Sequence, residues 1–170
     1  CLLPFERSVY DDAGLRPIFV GHPLADQLPL EPDVHAARKT LGLAEDARIV
    51  AVLPGSRTRE VSRLAADFAE TVAGLASRRP GLQFIAALAS AETRGTFEEA
   101  LARHAPGVAV TVVEGRTQAA LTAADVVLVA SGTATLETLL CKRPMVVAYR
   151  LGALTAFVLT KGAMAFVTAP

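Results

Sequence analysis

Apolar residues in this chain fall into short continuous runs, separated by stretches in which they recur at helical spacing. Residues 49–53 are apolar throughout and stop at Pro54-Gly55. Residues 82–88, 108–113, 126–129 and 145–149 read as further strands, and 16–20 as a short one. Between them the period changes. In residues 61–77, Leu64, Phe68, Val72 and Leu75 fall on one helical face. Residues 33–41, 92–103, 117–123 and 133–140 also read as helices, as does the chain from 154 onward. Asp33 stands near the start of the first of these and Gly42 at its end, where capping and left-handed residues belong. Residues 1–5 look like the end of a strand. Residues 23–32, with three prolines, read as a connection.

Strands that are apolar throughout, rather than alternating, are buried on both faces. Their alternation with helices predicts an α/β fold: a doubly wound parallel sheet with helices on both faces, as one Rossmann-like domain over residues 1–170. In such sheets ligands bind at the carboxyl ends of the strands, near the point where strand order reverses. That rule selects the loops to inspect.

Composition narrows the field. Hydrophobic residues make up 52% of the 170, enough for a sizeable core. Lys plus Arg is 17 and Asp plus Glu is 17, so no net charge steers the chain toward nucleic acid. The two cysteines, Cys1 and Cys141, form no disulfide framework or metal-ligand spacing, and a reducing cytoplasm is the natural setting. No uncharged apolar run reaches about 18 residues, so no membrane-spanning helix is expected. No secretory signal is visible. The absence of an initiator Met and the abrupt ends suggest a piece of something longer.

Three loops at predicted strand ends carry candidate chemistry. In the first, Gly55 permits close backbone approach, Ser56 is placed to cap the following helix, and Arg57 brings a planar fork of donors. Free N–H groups and the dipole at a helix start suit a phosphate. Taken alone this is no more than a strand–helix junction, and it has neither the Walker A nor the dinucleotide glycine pattern. In the second loop, Ser131 and Thr133 offer hydroxyls and Gly132 bare backbone, again where a strand passes into a helix. Glu137 follows within the first turns. A carboxylate beside a phosphate cradle needs another partner, and a pair of ribose hydroxyls would serve. Two anion cradles suggest a diphosphate, and the carboxylate beside them a nucleoside diphosphate. In the third loop Gly115 could offer backbone groups to a base, whereas Glu114 and Arg116 read as an ordinary turn. His22, beside Pro23, reads as structural, His35 and His104 as surface residues, and Asp11-Asp12 as a solvated turn or helix end. No Ser/His/Asp set or metal cluster emerges.

Five segments, in this order and spacing, resemble the lipid-A-disaccharide synthases (glycosyltransferase family 19) over essentially the whole chain. They are Leu3-Pro4-Phe5-Glu6, Val20-Gly21-His22-Pro23-Leu24-x-Asp26, Leu53-Pro54-Gly55-Ser56-Arg57-x-x-Glu60-Val61, Ala130-Ser131-Gly132-Thr133-Ala134-x-Leu136-Glu137 and Pro144-Met145-Val146-Val147-x-Tyr149-Arg150. The resemblance implies the C-terminal, UDP-sugar-binding half of a two-domain GT-B enzyme. It implies inverting transfer of 2,3-diacylglucosamine from UDP-2,3-diacylglucosamine to 2,3-diacylglucosamine 1-phosphate, without metal or other cofactor. UDP would lie on Gly55, Ser56, Arg57, Gly115, Ser131, Gly132, Thr133 and Glu137, with Arg57 as the catalytic group that stabilises departing UDP. The acceptor side and general base would belong to an N-terminal domain absent here, and a further Asn near the nucleotide would follow Pro170. The resemblance places the enzyme in the cytoplasm, peripheral to the inner membrane, with oligomers allowed. Residues 151–165 hold one basic residue, Lys161, so membrane contact is expected through the full enzyme only. Two other readings stay open: a GT-B relative using another UDP-GlcNAc-type donor, and a nucleotide-binding module with no catalysis of its own.

Overall fold

The computed structural model describes residues 1–150, and the helix expected from 154 onward lies outside them. Five parallel strands form one sheet: β1 (Arg48–Leu53), β2 (Leu82–Leu88), β3 (Val110–Glu114), β4 (Val126–Ala130) and β5 (Met145–Ala148). Their order is β3-β2-β1-β4-β5. The chain therefore winds outward from β1 in one direction, then returns past it and winds the other way. The order reverses between β1 and β4, where Val50 pairs with Val126 and Leu53 with Val129. This is the doubly wound topology that the apolar strand runs predict.

Each strand serves two cores because its side chains alternate between faces. Val50, Val52, Phe84, Ala86 and Leu88 face one layer, formed by α4 (Thr58–Arg78) and α5 (Ala91–His104). Val61, Leu64, Phe68 and Val72 of α4, on one helical stripe, and Phe97 of α5 are buried there. Ile49, Ala51, Leu53, Ile85, Val127 and Val129 face the other layer, with Ala120 and Leu121 of α6 (Thr117–Ala123). Leu41 of α3 (Val34–Leu41) and Ala134 of α7 (Thr133–Leu140) pack against this second core. Cys141 is the buried residue that ends α7.

Local rules account for most boundaries. Asp33 accepts from Ala36 N–H to open α3, and Gly42, at φ 66°, closes it. Ser90 and Thr93 form a reciprocal capping box at the start of α5. At the amino edge of the sheet Arg38 is buried, and all three of its nitrogens donate hydrogen bonds. Its Nε donates to Ala123 O (3.0 Å), Nη1 to Glu45 O, and Nη2 to both carboxylate oxygens of Asp125 (3.1 and 3.2 Å). Asp125 also accepts from Ile49 N–H at 2.8 Å, so one ion pair ties α3 to the starts of β1 and β4.

Two expectations fail near the N-terminus. Residues 1–5 are a turn leading into α1 (Glu6–Asp12), not the end of a strand. Glu6 accepts the N–H groups of Leu3 (2.9 Å) and Leu2 (2.8 Å), which turns the chain and holds its carboxyl below the usual carboxylate range. Residues 16–20 form no strand, because among the described residues they bond only to Cys1, through Ile18 O and Val20 N–H, and no ladder develops. The prolines of 23–32 hold a short helix, α2 (Pro23–Gln27), which begins where His22 Nδ1 accepts from Leu24 N–H. His22 thus serves as the N-cap of α2. Apolar side chains of this first segment, among them Phe5, Val9, Ile18 and Val20, are exposed. No helix among the described residues is long and apolar enough to cross a membrane.

Candidate functional site

The reversal of strand order sets the site. Where β1 and β4 part, their following loops splay to opposite faces and leave a crevice at the carboxyl edge. A cavity of about 260 Å³ occupies it, lined by Leu53, Gly55, Ser56, Arg57 and Glu60 from one side and by Ala130–Ala134 and Glu137 from the other. Ala87, Ala89 and Thr117 form its floor toward β2 and α6. A larger cavity, about 790 Å³, lies at the opposite edge between residues 44–48 and 78–83. The smaller one is the candidate site. Two helices start beside it, whereas no helix begins among the residues that line the larger.

The first side of the cleft is the turn from β1 into α4. Gly55 has φ 134°, a conformation side chains rarely adopt, and a Cβ there would come within 2.6 Å of the Glu60 side chain. Glu60 turns back to accept Ser56 N–H at 3.0 Å. It stands three residues after Arg57, which occupies the N-cap position. This corrects the expectation that Ser56 caps α4. The helix begins one residue later, and the Ser56 side chain makes no cap bond. The Glu60 carboxylate performs a capping-box return, one residue further back than usual. As first-turn positions, the N–H groups of Thr58 and Arg59 have no intrahelical acceptor. Arg57 is exposed and makes no ion pair among the described residues.

The second side is the turn from β4 into α7. Ser131 N–H is spent on Ala148 O (2.8 Å), continuing the β4–β5 ladder. Its hydroxyl and that of Thr133 make no hydrogen bond among the described residues, whereas Thr135 Oγ1 donates to Gly132 O at 2.6 Å. Gly132 is the N-cap, in extended backbone, and a Cβ placed on it would meet nothing within 4 Å. Its lack of a side chain answers no packing demand among the described residues. Glu137, in the second turn of α7, faces the cleft and also borders a smaller neighbouring cavity of about 140 Å³ with Gln118 and Leu28.

The cleft therefore gathers Gly55, Ser56, Arg57, Ser131, Gly132, Thr133 and Glu137, seven of the eight residues singled out in the sequence. Gly115 is not among its lining residues, and its N–H is committed to Leu88 O at 3.0 Å. Thr117, the first residue of α6, lies there in its place. Glu60 was missed as a lining residue, although its position three residues into the helix was a legible signal. Among the described residues no group of three His, Cys, Asp or Glu could hold a metal ion. Cys141 is buried, and burial pushes its thiol up from the ordinary range.

A doubly wound parallel sheet, with two helix starts and an arginine around a cleft at its switch point, defines the class: a Rossmann-like α/β domain with a polar cleft at the carboxyl edge of its sheet. The sequence matches the family described as lipid-A-disaccharide synthetase over residues 1–163, and the chain belongs to that family. It is 54% identical over 153 residues to the lipid-A-disaccharide synthase of Aromatoleum aromaticum, covering 89% of this chain and 39% of that protein. It is 51% identical over 161 residues to the enzyme of the same name from Pseudomonas syringae pv. tomato, covering 94% of this chain and 42% of the relative. The chain thus spans about two-fifths of the length of these relatives. A solved glycosyl transferase family 9 structure from Veillonella parvula aligns with 86% of this chain and 45% of its own, at 10% identity and a TM-score of 0.45.

Proposed function

We propose that this chain forms the UDP-binding half of a lipid-A-disaccharide synthase. In this reading the complete enzyme transfers 2,3-diacylglucosamine from UDP-2,3-diacylglucosamine to 2,3-diacylglucosamine 1-phosphate, with inversion and release of UDP. The observation that carries the reading is the convergence of two helix starts, Arg57 and Glu137 on one cleft, in a chain of this family.

The chemistry follows from the cleft. As the glycosidic bond to UDP breaks, charge builds on the β-phosphate. The starts of α4 and α7 and the Arg57 guanidinium supply fixed positive dipoles and donors to that charge, the role a metal ion fills elsewhere. Gly132 leaves the second helix start bare, so that phosphate oxygens approach its backbone. Glu137 accepts from the ribose hydroxyls. With Gly115 N–H already bonded, the base is read by other groups near Thr117 and Gln118. Inverting transfer also needs a base for the acceptor hydroxyl, on the face opposite the leaving group. Glu60 is spent on Ser56 N–H, Glu137 is assigned to ribose, and Asp11 and Asp12 lie outside the cleft. The base and the apolar surface for acyl chains then belong to the family's remaining length. The complete enzyme works in the cytoplasm, peripheral to the inner membrane where acylated sugars reside, and needs no metal or other cofactor.

Calorimetric titration of the 170-residue chain with UDP, ADP and UDP-GlcNAc tests this. Binding of UDP and UDP-GlcNAc in preference to ADP is expected. Equal heats for UDP and ADP, or none for either, would overturn the nucleotide assignment. The chain alone should form no disaccharide from donor and acceptor, and should do so once the remainder of the enzyme is restored.

A further inference from the structure

Beside the nucleotide cleft lies a second cavity, of about 360 Å³, whose polar walls are unlike those of the first. Arg57, Arg59 and Arg63 line it from α4, Tyr149 and Arg150 from the end of β5, and Glu60 from the partition between the two spaces. Arg150 is held against α4, donating to Asp67 Oδ2 at 3.0 Å and to Arg63 O at 3.4 Å. Arg57, Arg59 and Arg63 are exposed and make no ion pair among the described residues.

This placement breaks two rules of helix design. Cations near a helix N-terminus oppose the dipole, which favours them at the other end. Arg59 lies in the first turn of α4, directly after Arg57 and Thr58. Arg59 and Arg63 are also four residues apart, a spacing at which like charges face and repel each other. Arg150, from a different element, adds a fourth guanidinium instead of a carboxylate. Local choices that cost stability without an internal gain mark a place where the compensating charge comes from outside. Guanidinium forks match the several equivalent oxygens of a phosphate group. Arg57 and Ser131 line both cavities, so an anion held here sits next to whatever occupies the nucleotide cleft.

We infer that this arginine-lined cavity is a second anion site, distinct from the nucleotide cleft, that takes a phosphate monoester on a sugar. The inference rests on the functional reading above, in which the acceptor carries such a group while the donor's diphosphate fills the first cleft. Arg59 and Arg63 hold the acceptor's phosphate, Arg150, pinned to Asp67, adds its positive charge to the wall, and Arg57 stands between the two anions.

The test saturates the 170-residue chain with UDP and then titrates it with glucosamine 1-phosphate, following the arginine Nε–Hε signals by NMR. Binding should persist under saturating UDP. The double variant Arg59→Gln/Arg63→Gln, altered only at exposed positions, should raise the Kd for glucosamine 1-phosphate at least about fivefold and leave the Kd for UDP within about twofold. The single variant Arg63→Gln should give a smaller shift in the same direction, and melting curves check that both are folded. Displacement of glucosamine 1-phosphate by UDP, an unchanged Kd in the double variant, or equal shifts with unphosphorylated glucosamine would each overturn the inference. So would a double variant that loses binding to phosphatidylglycerol vesicles while keeping its affinity for glucosamine 1-phosphate, since the cluster would then serve a lipid surface. If UDP itself fails to bind, the functional reading falls, and the same variants titrated without UDP decide the phosphate site on its own.

Discussion

The two edges of the sheet use arginine in opposite ways. At the amino edge Arg38 is buried, and its donors are consumed by Ala123 O, Glu45 O and the Asp125 carboxylate. At the carboxyl edge Arg57, Arg59 and Arg63 are exposed, and none is paired among the described residues. A committed guanidinium fastens elements together and has nothing left for a ligand. An uncommitted one adds little to the fold and keeps its forks for an anion. Residue type alone does not separate the two roles; only the partners do.

That contrast can be broken by substitution. The largest effect should come from Arg57→Ala in the complete enzyme, which removes a charge-assisted contact to the leaving diphosphate. A loss of about 2–4 kcal/mol in transition-state stabilisation is expected, with the melting temperature nearly unchanged. Wild-type turnover in this variant would remove Arg57 from the mechanism, and global unfolding would make it structural. Arg38→Ala should do the reverse. It strands the Asp125 carboxylate and two carbonyls, at a cost of about 2–3 kcal/mol in denaturant unfolding; the half-exposed Asp125 keeps the figure below that of a fully buried pair. UDP affinity, measured where the variant is still folded, should hold. If Arg38→Ala weakens UDP binding as much as Arg57→Ala does, the division between edges is wrong.

The two glycines of the cleft sharpen the same point at a smaller scale. Gly55→Ala forces a Cβ onto the Glu60 side chain at a backbone angle that resists it, and should cost about 1–3 kcal/mol of stability. Gly132→Ala meets no atom of the described residues, so stability should stay within about 0.5 kcal/mol while UDP affinity falls. Equal affinity for UDP in wild type and Gly132→Ala would show that no ligand approaches that backbone. The smallest effect is in specificity. Glu137→Gln replaces two acceptor oxygens by one and should lower the preference for UDP over dUDP, while changing stability by only a few tenths of a kcal/mol. An unchanged UDP to dUDP ratio would falsify the ribose assignment.

Much of this molecule was legible from sequence because its signals are local. Apolar runs fix the strands, the period in residues 61–77 fixes the buried face of α4, and Asp33 and Gly42 mark the ends of α3. The first segment misled, because Cys1–Phe5 and residues 16–20 have strand-like composition but no neighbouring strand to complete a ladder. A strand is defined by its partner, and the partner is not a local property. The same holds for the caps: Ser56 has the right side chain for capping α4, yet Glu60 does the work once the turn is one residue longer.

By itself the sequence determined the alternation of elements, the family, and which loops carry glycines, hydroxyls and arginines. The tertiary structure alone decided which of those loops meet. Placing β4 beside β1 brings residues 55–57, 131–134 and Glu137 around one cleft, leaves Gly115 bonded to β2 outside it, and joins Arg38 to Asp125 across 87 residues of chain. The physical reason is that strand adjacency is set by burial of both sheet faces at once, a property of the whole chain that no window of residues contains.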